Sequence, residues 1–143
     1  MEIVIHTDGS SDLNKGTSGR GWAMYDGKDG TLLNQGFDSS TQGLTNNQEE
    51  YNAVIAALEN LAIMFPDATK EDKVFIKTDS ELVVKQLTGV YKIRKPHLKP
   101  LAKRIKELIQ ASPMTIGIQH VYREQNSDAD SLARQGLSAA NLE

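Results

Sequence analysis

The stretch TNNQEEYNAVIAALENL (residues 45–61) begins with small polar residues and continues into an apolar segment with helical spacing. Such polar residues are typical of a helix N-terminus. Counted from Glu50, apolar residues recur three or four positions apart, at Ala53, Val54, Ala57 and Leu61. Because this interval marks one face of a helix, Glu50 is predicted to lie at the head of a buried stripe.

Glu50 is thus a carboxylate at a position where burial is costly unless the group is paired or binds a metal ion. The alternative is an ordinary first-turn acid that the helix dipole favours. Its neighbour Glu49 is rotated away from the apolar stripe and is predicted to be solvated. Carboxylates elsewhere in the chain bear on the choice between these interpretations of Glu50.

Length and composition favour one globular domain over residues 1–143. Hydrophobic residues are 38% and charged residues 24% of the chain, so disorder is not indicated. The absence of cysteine excludes disulfides and thiolate metal sites and favours an intracellular, cytoplasmic setting. No stretch has the length and apolarity of a membrane span. The net charge of −3 provides no overall attraction to nucleic acid.

The first part of the chain predicts an antiparallel meander. Residues 2–7 alternate as in a strand, and Val4 is apolar on the face opposite Ile3 and Ile5, which predicts a central strand that ends at Asp8 and a glycine turn. Residues 12–20 are polar and glycine-rich and are predicted to form a loop. Residues 21–25 and 31–37 are predicted strands, joined by two Asp-Gly pairs that are typical of a hairpin.

The second part predicts helices alternating with strands. The helix that opens at residue 45 is predicted to end near residue 64, and residues 73–78 form a strand parallel to the first. Short helices are predicted at residues 82–87 and 98–110, and a last strand at residues 114–121. A final helix begins near Asp128, with Ala129, Ala133 and Leu137 facing inward.

A basic segment covers residues 92–106, with no acidic residue in it. It holds seven cationic side chains: Lys92, Arg94, Lys95, Lys99, Lys103, Arg104 and Lys106. Such a face is usually solvated, but in a chain that is otherwise acidic it also suits phosphate binding. The sequence leaves both interpretations open.

Carboxylates recur at the ends of predicted elements: Asp8, Glu50, Asp79, and Asp128 or Asp130. Taken singly, Asp8 also fits a turn and Asp79 a helix N-cap. Ligands collect at the carboxyl ends of parallel strands, and carboxylates gathered there need a counter-charge. A hard divalent cation such as Mg²⁺ provides it through oxygen ligands, and two such ions catalyse phosphoryl transfer.

Four short motifs occur in order on the expected elements: TDGS at residues 7–10, TNNQEE at 45–50, TDS at 78–80 and DSLA at 130–133. Together they resemble type I ribonuclease H over essentially the whole chain. The resemblance implies an α/β fold with a five-stranded mixed sheet, in the order 3-2-1-4-5, flanked by helices. The implied activity is endonucleolytic hydrolysis of the RNA strand of an RNA–DNA hybrid, which leaves 3′-hydroxyl and 5′-phosphate ends.

The resemblance also implies roles for individual residues. The catalytic and metal-binding carboxylates would be Asp8, Glu50, Asp79 and Asp130, which hold two Mg²⁺ or Mn²⁺ ions. Asp128 is left as a bystander or a reserve ligand. The implied partner is the RNA–DNA hybrid, bound by a monomer without a protein partner. Minor-groove contacts would come from Gly9, Ser10, Asn46, Asn47 and Gln48, and contacts to a DNA phosphate from Asn14 and Thr45.

Two features depart from the family pattern. Many members carry a catalytic His shortly before the last helix, whereas residues 121–126 here read VYREQN. Either Arg123 or Glu124 takes that role, or the role is absent. His120 falls inside the strand pattern and is predicted to be structural. The Trp-rich protrusion of some members is also missing. Any binding of the substrate by the basic segment would therefore run from Lys and Arg to phosphate and depend strongly on salt.

Other functions remain open at this stage. A resolvase or integrase core shares the acidic element ends but not the Thr-Asn-Asn-x-x-Glu helix start. A hybrid- or RNA-binding module without catalysis would not need repelling acids beside a polyanion. A domain cut from a larger polymerase is a further alternative.

Overall fold

The structure is a computed structural model that describes residues 1–142. Within these residues the sheet consists of β1 (Glu2–Asp12), β2 (Thr17–Asp26), β3 (Leu32–Ser40), β4 (Lys73–Thr78) and β5 (Thr115–His120). The helices are α1 (Asn46–Met64), α2 (Glu81–Leu87), α3 (Lys99–Ala111) and α4 (Ser127–Asn141). A single 3₁₀ turn, Arg123–Gln125, lies between β5 and α4. None of the helices described has the length and apolarity to cross a bilayer.

The five strands form one mixed sheet in the order β3-β2-β1-β4-β5, which confirms the predicted topology. The first three strands are antiparallel, whereas β4 pairs parallel to β1 and β5 parallel to β4. The central position of β1 agrees with its apolar residues on both faces. The carboxyl ends of β1, β4 and β5 therefore meet at one edge of the sheet.

The sheet carries helices on both faces. Ile3 and Ile5 point to the side where α1 and α3 complete the main apolar core. The alternate side chains of β1 and β2 point to α4 on the opposite face. These two helical layers leave the carboxyl edge of the sheet accessible.

The predicted loop at residues 12–20 is wrong from Thr17 onward. Strand β1 continues to Asp12, which pairs with Thr17, the first residue of β2. Gly19 lies so close to α4 that a β-carbon would overlap the backbone of Ala133 and Leu137. Gly19 therefore reflects close packing of α4 on the sheet, whereas Gly16, with a φ of 68°, serves the turn between β1 and β2.

Helix α1 begins where the sequence predicts, and a capping box stabilises its first turn. The Thr45 hydroxyl accepts a hydrogen bond from the Gln48 backbone N–H at 3.1 Å. The Gln48 side-chain oxygen in turn accepts from the Thr45 backbone N–H at 2.8 Å. This reciprocal pair stabilises the first turn and fixes the direction in which the helix leaves the sheet edge.

Candidate active site

Asp8 and Asp79 lie side by side at the point where β1 and β4 stop pairing. Thr7 and Thr78 are the last residues at which β1 and β4 pair with each other, and each acid directly follows one of them. Asp8 lies within β1 rather than in a turn, so the turn interpretation of Asp8 is wrong. Asp79 is not the N-cap of α2 either, because Ser80 caps that helix through its hydroxyl. Neither carboxylate has a local structural task.

Helix α1 brings Glu50 to the same place because Gly9 lets its backbone approach the strand. A β-carbon on Gly9 would stand 2.5 Å from the Glu49 carbonyl carbon and 2.6 Å from the Glu50 nitrogen. Real β-carbons do not make contacts this short, so the third residue of the TDGS motif, Gly9, must be glycine. Glu50 follows the first turn of α1, and the residue is 8% exposed.

The structure gathers Asp8, Glu50 and Asp79 into one cluster, as the sequence predicts. Each contributes one carboxylate oxygen to a set in which all the oxygens lie within 4.8 Å of one another. Asp8 is 4% exposed, and Asp79 is half-buried. Within residues 1–142, the buried Glu50 Oε2 has no hydrogen-bond partner.

This geometry is electrostatically unfavourable for the protein alone. Burial, together with the charge of Asp79, raises the pKa of Asp8 to about 7. Burial and the charges of Asp8 and Asp79 raise the pKa of Glu50 well above its ordinary value. Without a counter-charge, the pair therefore retains a proton near neutral pH.

A divalent cation fits this cluster. It would offset the repulsion and provide a partner for Glu50 Oε2. The donors are all carboxylate oxygens and the chain has no thiols, a set that suits a hard ion. A satisfied structural cluster would show neither the orphaned oxygen nor the raised pKa values.

Asp130 and Asp128 differ in position although they share the first turn of α4. Asp130 lines the cleft above the three acids, and its Oδ2 lies 2.9 Å from Arg134 Nη2. Asp128 instead accepts a hydrogen bond from the Tyr25 hydroxyl and lies away from the cleft. The structure therefore places Asp130, not Asp128, beside the cluster.

The acids lie in an open cleft of about 650 Å³. Of the predicted substrate contacts, Gly9, Ser10, Asn46 and Asn47 line it. Thr45 and Gln48 are engaged in the capping box. Asn14 is in an exposed turn, where its backbone N–H donates to Asp12 Oδ1 at 3.1 Å. The roles assigned to these residues stay predictions.

Four lining residues were not predicted: Ser11, Ser80, Tyr122 and Arg134. The Ser11 backbone N–H and hydroxyl both donate to Asn46 Oδ1, at 2.9 and 2.8 Å. This contact directs the Asn46 amide and leaves its NH₂ group for a ligand. Ser11 lies two residues after Gly9 on the same strand face, and Arg134 one turn after Asp130. Both spacings are readable from the sequence.

The loop before α4 forms one wall of the cleft. His120, Arg123 and Glu124 line it, so the structural role predicted for His120 is wrong. Strand β5 is at the edge of the sheet, and its final residue is therefore exposed.

Asn126 fixes the loop before α4 to β1. Its Nδ2 donates to the Thr7 carbonyl at 2.9 Å, and its Oδ1 lies 3.0 Å from His6 Nδ1.

Glu49 is fully buried, which contradicts its predicted solvation. Its Oε1 accepts hydrogen bonds from Arg20 Nη1 at 2.8 Å and from Asn52 Nδ2 at 2.9 Å. The apolar periodicity of α1 correctly predicts that Glu49 lies off the helix face that packs on the central strands. The prediction failed because β2 extends beside the first turn of α1 and covers this second face.

The basic segment is divided between two environments. On α3, Arg104 and Lys103 lie near Glu59 and Glu107, at 3.8 and 3.9 Å. The residues before α3 line a second groove, of about 480 Å³, together with Asn47 from the acidic cleft. This groove includes Tyr91, Lys92, Arg94 and Lys95. The unpaired cations thus adjoin the cleft, whereas α3 presents a partly paired face.

Comparisons with known proteins agree with this geometry. A family model described as RNase H matches residues 1–138. Ribonuclease HI of Halobacterium salinarum is 38% identical over 138 residues, which cover 96% of this chain and 65% of that protein. The bifunctional protein Rv2228c of Mycobacterium tuberculosis is 31% identical over 147 residues, which cover 98% of this chain and 36% of that protein. The chain therefore spans less than two thirds of either relative.

A solved structure is also similar. The crystal structure of LC11-RNase H1 in complex with an RNA/DNA hybrid superimposes with a TM-score of 0.88 at 35% identity. The match covers 96% of this chain and 98% of that one. The same sheet order and helical layers are therefore found in a protein seen bound to a hybrid.

Proposed function

The chain belongs to the RNase H family, and on that premise we propose that it is an endoribonuclease acting on RNA–DNA hybrids. It hydrolyses phosphodiester bonds of the RNA strand and leaves 3′-hydroxyl and 5′-phosphate ends. The observation that carries the proposal is the convergence of Asp8, Glu50 and Asp79 with the unpartnered Glu50 Oε2. We place this activity in the cytoplasm, because a chain without cysteine needs no oxidising compartment.

The proposed metal ligands are Asp8, Glu50 and Asp79, with Asp130 completing a second position. The ion we propose is Mg²⁺, with Mn²⁺ as a substitute, because both prefer oxygen ligands. When bound, the ions would supply a water of lowered pKa and neutralise charge on the leaving 3′-oxygen. Burial of Asp8 and Glu50 excludes bulk water from their oxygens and so strengthens these interactions.

The other lining residues bind and orient the substrate in this proposal. Backbone groups at Gly9 and Ser10 and the amides of Asn46 and Asn47 offer hydrogen bonds to a minor groove, where 2′-hydroxyls mark RNA. Arg123, Arg134 and His120 line the opposite wall and place donors near a phosphate. The cations of the adjoining groove contact backbone phosphates, so binding weakens as salt rises.

The test is a cleavage assay on three labelled substrates: an RNA–DNA hybrid, single-stranded RNA and duplex DNA. Each is incubated with and without Mg²⁺, using the wild-type protein and Asp79→Asn. We expect cleavage of the RNA in the hybrid alone, only with metal, and no cleavage by the variant. Circular dichroism checks that the variant is folded.

Two results would reject this function. Equal cleavage of duplex DNA would indicate a resolvase-like nuclease. Metal-independent hybrid binding without cleavage would indicate a binding module. The control is Asp128→Asn, which removes an acid that bonds to Tyr25 and lies outside the cleft.

A further inference from the structure

A partly buried ion pair lies next to Glu50, the α1 member of the acidic cluster. Glu49 is fully buried, and its Oε1 lies 2.8 Å from Nη1 of Arg20 on β2. The Nε of the same guanidinium lies 3.9 Å from the exposed Asp38 on β3. Glu49 also accepts a hydrogen bond from Asn52, one turn further along α1.

This pair is an unusual choice for a purely structural position. Replacing a buried ion pair by well-packed apolar residues is often neutral or stabilising. Glu49 also adds an acid next to Glu50, where the site already holds repelling carboxylates. In addition, its Oε2 is buried without a hydrogen-bond partner among the described residues. Stability alone therefore gives little reason for a glutamate here.

The location of the pair suggests what it does. Arg20 is the cross-strand partner of Gly9 in the β1–β2 register, so both face α1. The backbone of Glu49 and Glu50 rests on Gly9. The Arg20–Glu49 pair thus ties β2 to α1 at the residue before Glu50, and Asn52 holds the Glu49 carboxylate from the other side.

We propose that Arg20 and Glu49 are positioning residues that fix the Glu50 carboxylate relative to Asp8 and so set the affinity of the site for divalent metal. This inference rests on the proposed function. The apolar face of α1 fixes its orientation on the sheet and the contact with Gly9 fixes how closely its first turn approaches the strand, but these contacts leave the first turn free to shift sideways. The ion pair adds a second point of attachment, off the Gly9 contact, and removes this freedom.

The main test compares metal binding by the wild type and the double variant Arg20→Leu/Glu49→Leu, which keeps the net charge. Isothermal calorimetry with Mn²⁺ alone measures binding without substrate or turnover. We expect the Kd for Mn²⁺ to rise roughly tenfold, as when a group supporting a metal ligand is lost. At saturating metal, kcat should fall while KM for the hybrid stays within about twofold, because the cleft contacts are unchanged.

Glu49→Gln separates geometry from charge. A glutamine oxygen accepts the same hydrogen bonds from Arg20 and Asn52 without the negative charge. We expect its Mn²⁺ affinity to remain within about twofold of wild type. A loss as large as that of the double variant would overturn positioning in favour of a charge effect.

Tyr51→Phe is the control for lost stability. It removes the buried hydrogen bond from the Tyr51 hydroxyl to Gln86 Oε1 (2.6 Å), on the residue after Glu50. We expect it to lower the urea midpoint and leave Mn²⁺ affinity unchanged. Equal losses of affinity in the control and the double variant would overturn the proposal, as would wild-type affinity in the double variant.

Asn52→Ala covers the case in which the double variant does not fold. It removes one of the two donors to Glu49 Oε1 at a half-buried position. A reproducible rise in the Kd for Mn²⁺ would support the proposal, and an unchanged Kd would overturn it. Metal binding by a wild-type protein that cleaves no hybrid would reject only the proposed function.

Discussion

The carboxylates of Asp8 on β1 and Glu50 on α1 present oxygens within 4.8 Å of each other and of Asp79. Both are almost completely buried, and burial is the largest cause of their raised pKa values. The fold holds two mutually repelling acids in contact through rigid elements. This arrangement lowers the stability of the metal-free protein and prepares a site for a cation.

The first prediction concerns pH. Asp8 has a folded-state pKa of about 7, above the value near 3.9 expected when unfolded. Its contribution to stability is therefore fully present below pH 4 and lost as the pH rises toward and through 7, and Glu50 acts in the same direction. We expect the free energy of unfolding in EDTA to fall between pH 5 and pH 8. Urea titrations at intervals across this range measure it.

Asp8→Asn should remove much of this dependence of the unfolding free energy on pH. At pH 8 without metal, the variant should be more stable than the wild type by about 1–3 kcal/mol. Saturating Mg²⁺ should stabilise the wild type far more than the variant. The exposed acids with lowered pKa values, Asp29, Asp72 and Glu81, titrate below this window and do not obscure the slope. A wild-type stability that rises from pH 5 to pH 8 would contradict this account.

The second prediction concerns the contact between α1 and β1. In Gly9→Ala the new methyl group would overlap helix backbone, which cannot yield as a flexible side chain would. We expect a loss of more than about 2 kcal/mol in unfolding free energy, together with weaker metal binding. Chemical denaturation and Mn²⁺ calorimetry measure the two effects.

Gly117→Ala on β5 is the control for the loss of a strand glycine. Among the described residues, nothing lies within 4 Å of a β-carbon at that position. We expect unchanged or slightly raised stability, since alanine restricts the unfolded chain. If the two variants behaved alike, the close approach at Gly9 would not be the reason for glycine there.

The third prediction separates the two acids at the start of α4. Asp130→Asn should lower kcat by at least about tenfold, or roughly 1.4 kcal/mol of barrier, because Asp130 lines the cleft. Asp128→Asn should keep kcat within about twofold and weaken only the contact to Tyr25. Steady-state cleavage of a labelled hybrid distinguishes them, and the reverse order would show that the assignment within this turn is wrong.

The fourth prediction concerns Asn126, which is 1% exposed and bridges β1 to the loop before α4. In Asn126→Ala the Thr7 carbonyl and His6 Nδ1 would each lose a partner. We expect a loss of about 1–3 kcal/mol in unfolding free energy and a lower kcat, because the cleft wall is no longer fixed. Asn60→Ala, which removes a bond within α1 only, should cost less. Equal effects would argue against a bridging role.

Much of the architecture was predictable because each element carries its own local signal. The polar helix start at Thr45, the Asp-Gly hairpin and the central β1 depend on neighbours in sequence, and all were confirmed. Of the predicted acids, Asp8 and Asp79 converge because parallel strands end at the same edge, and Glu50 joins them because the first turn of α1 rests on Gly9. The errors at residues 17–20, Glu49 and His120 share one cause. The environment of each of these residues depends on whether an element distant in the chain packs over it or leaves it exposed.

The residue pattern alone predicted the antiparallel meander, the parallel β4, the helix starts and the approach of Asp8 to Asp79, since periodicity and strand direction are local properties. The full strand order was implied by the resemblance to ribonuclease H. Only the tertiary structure decided that Glu49 is buried against Arg20, that Asp128 bonds to Tyr25 away from the cleft, and that Gly9 and Gly19 are places where helices touch strands. Those outcomes depend on separations of a few ångströms between segments remote in the chain. Such separations follow from how all the elements pack together, not from any one of them.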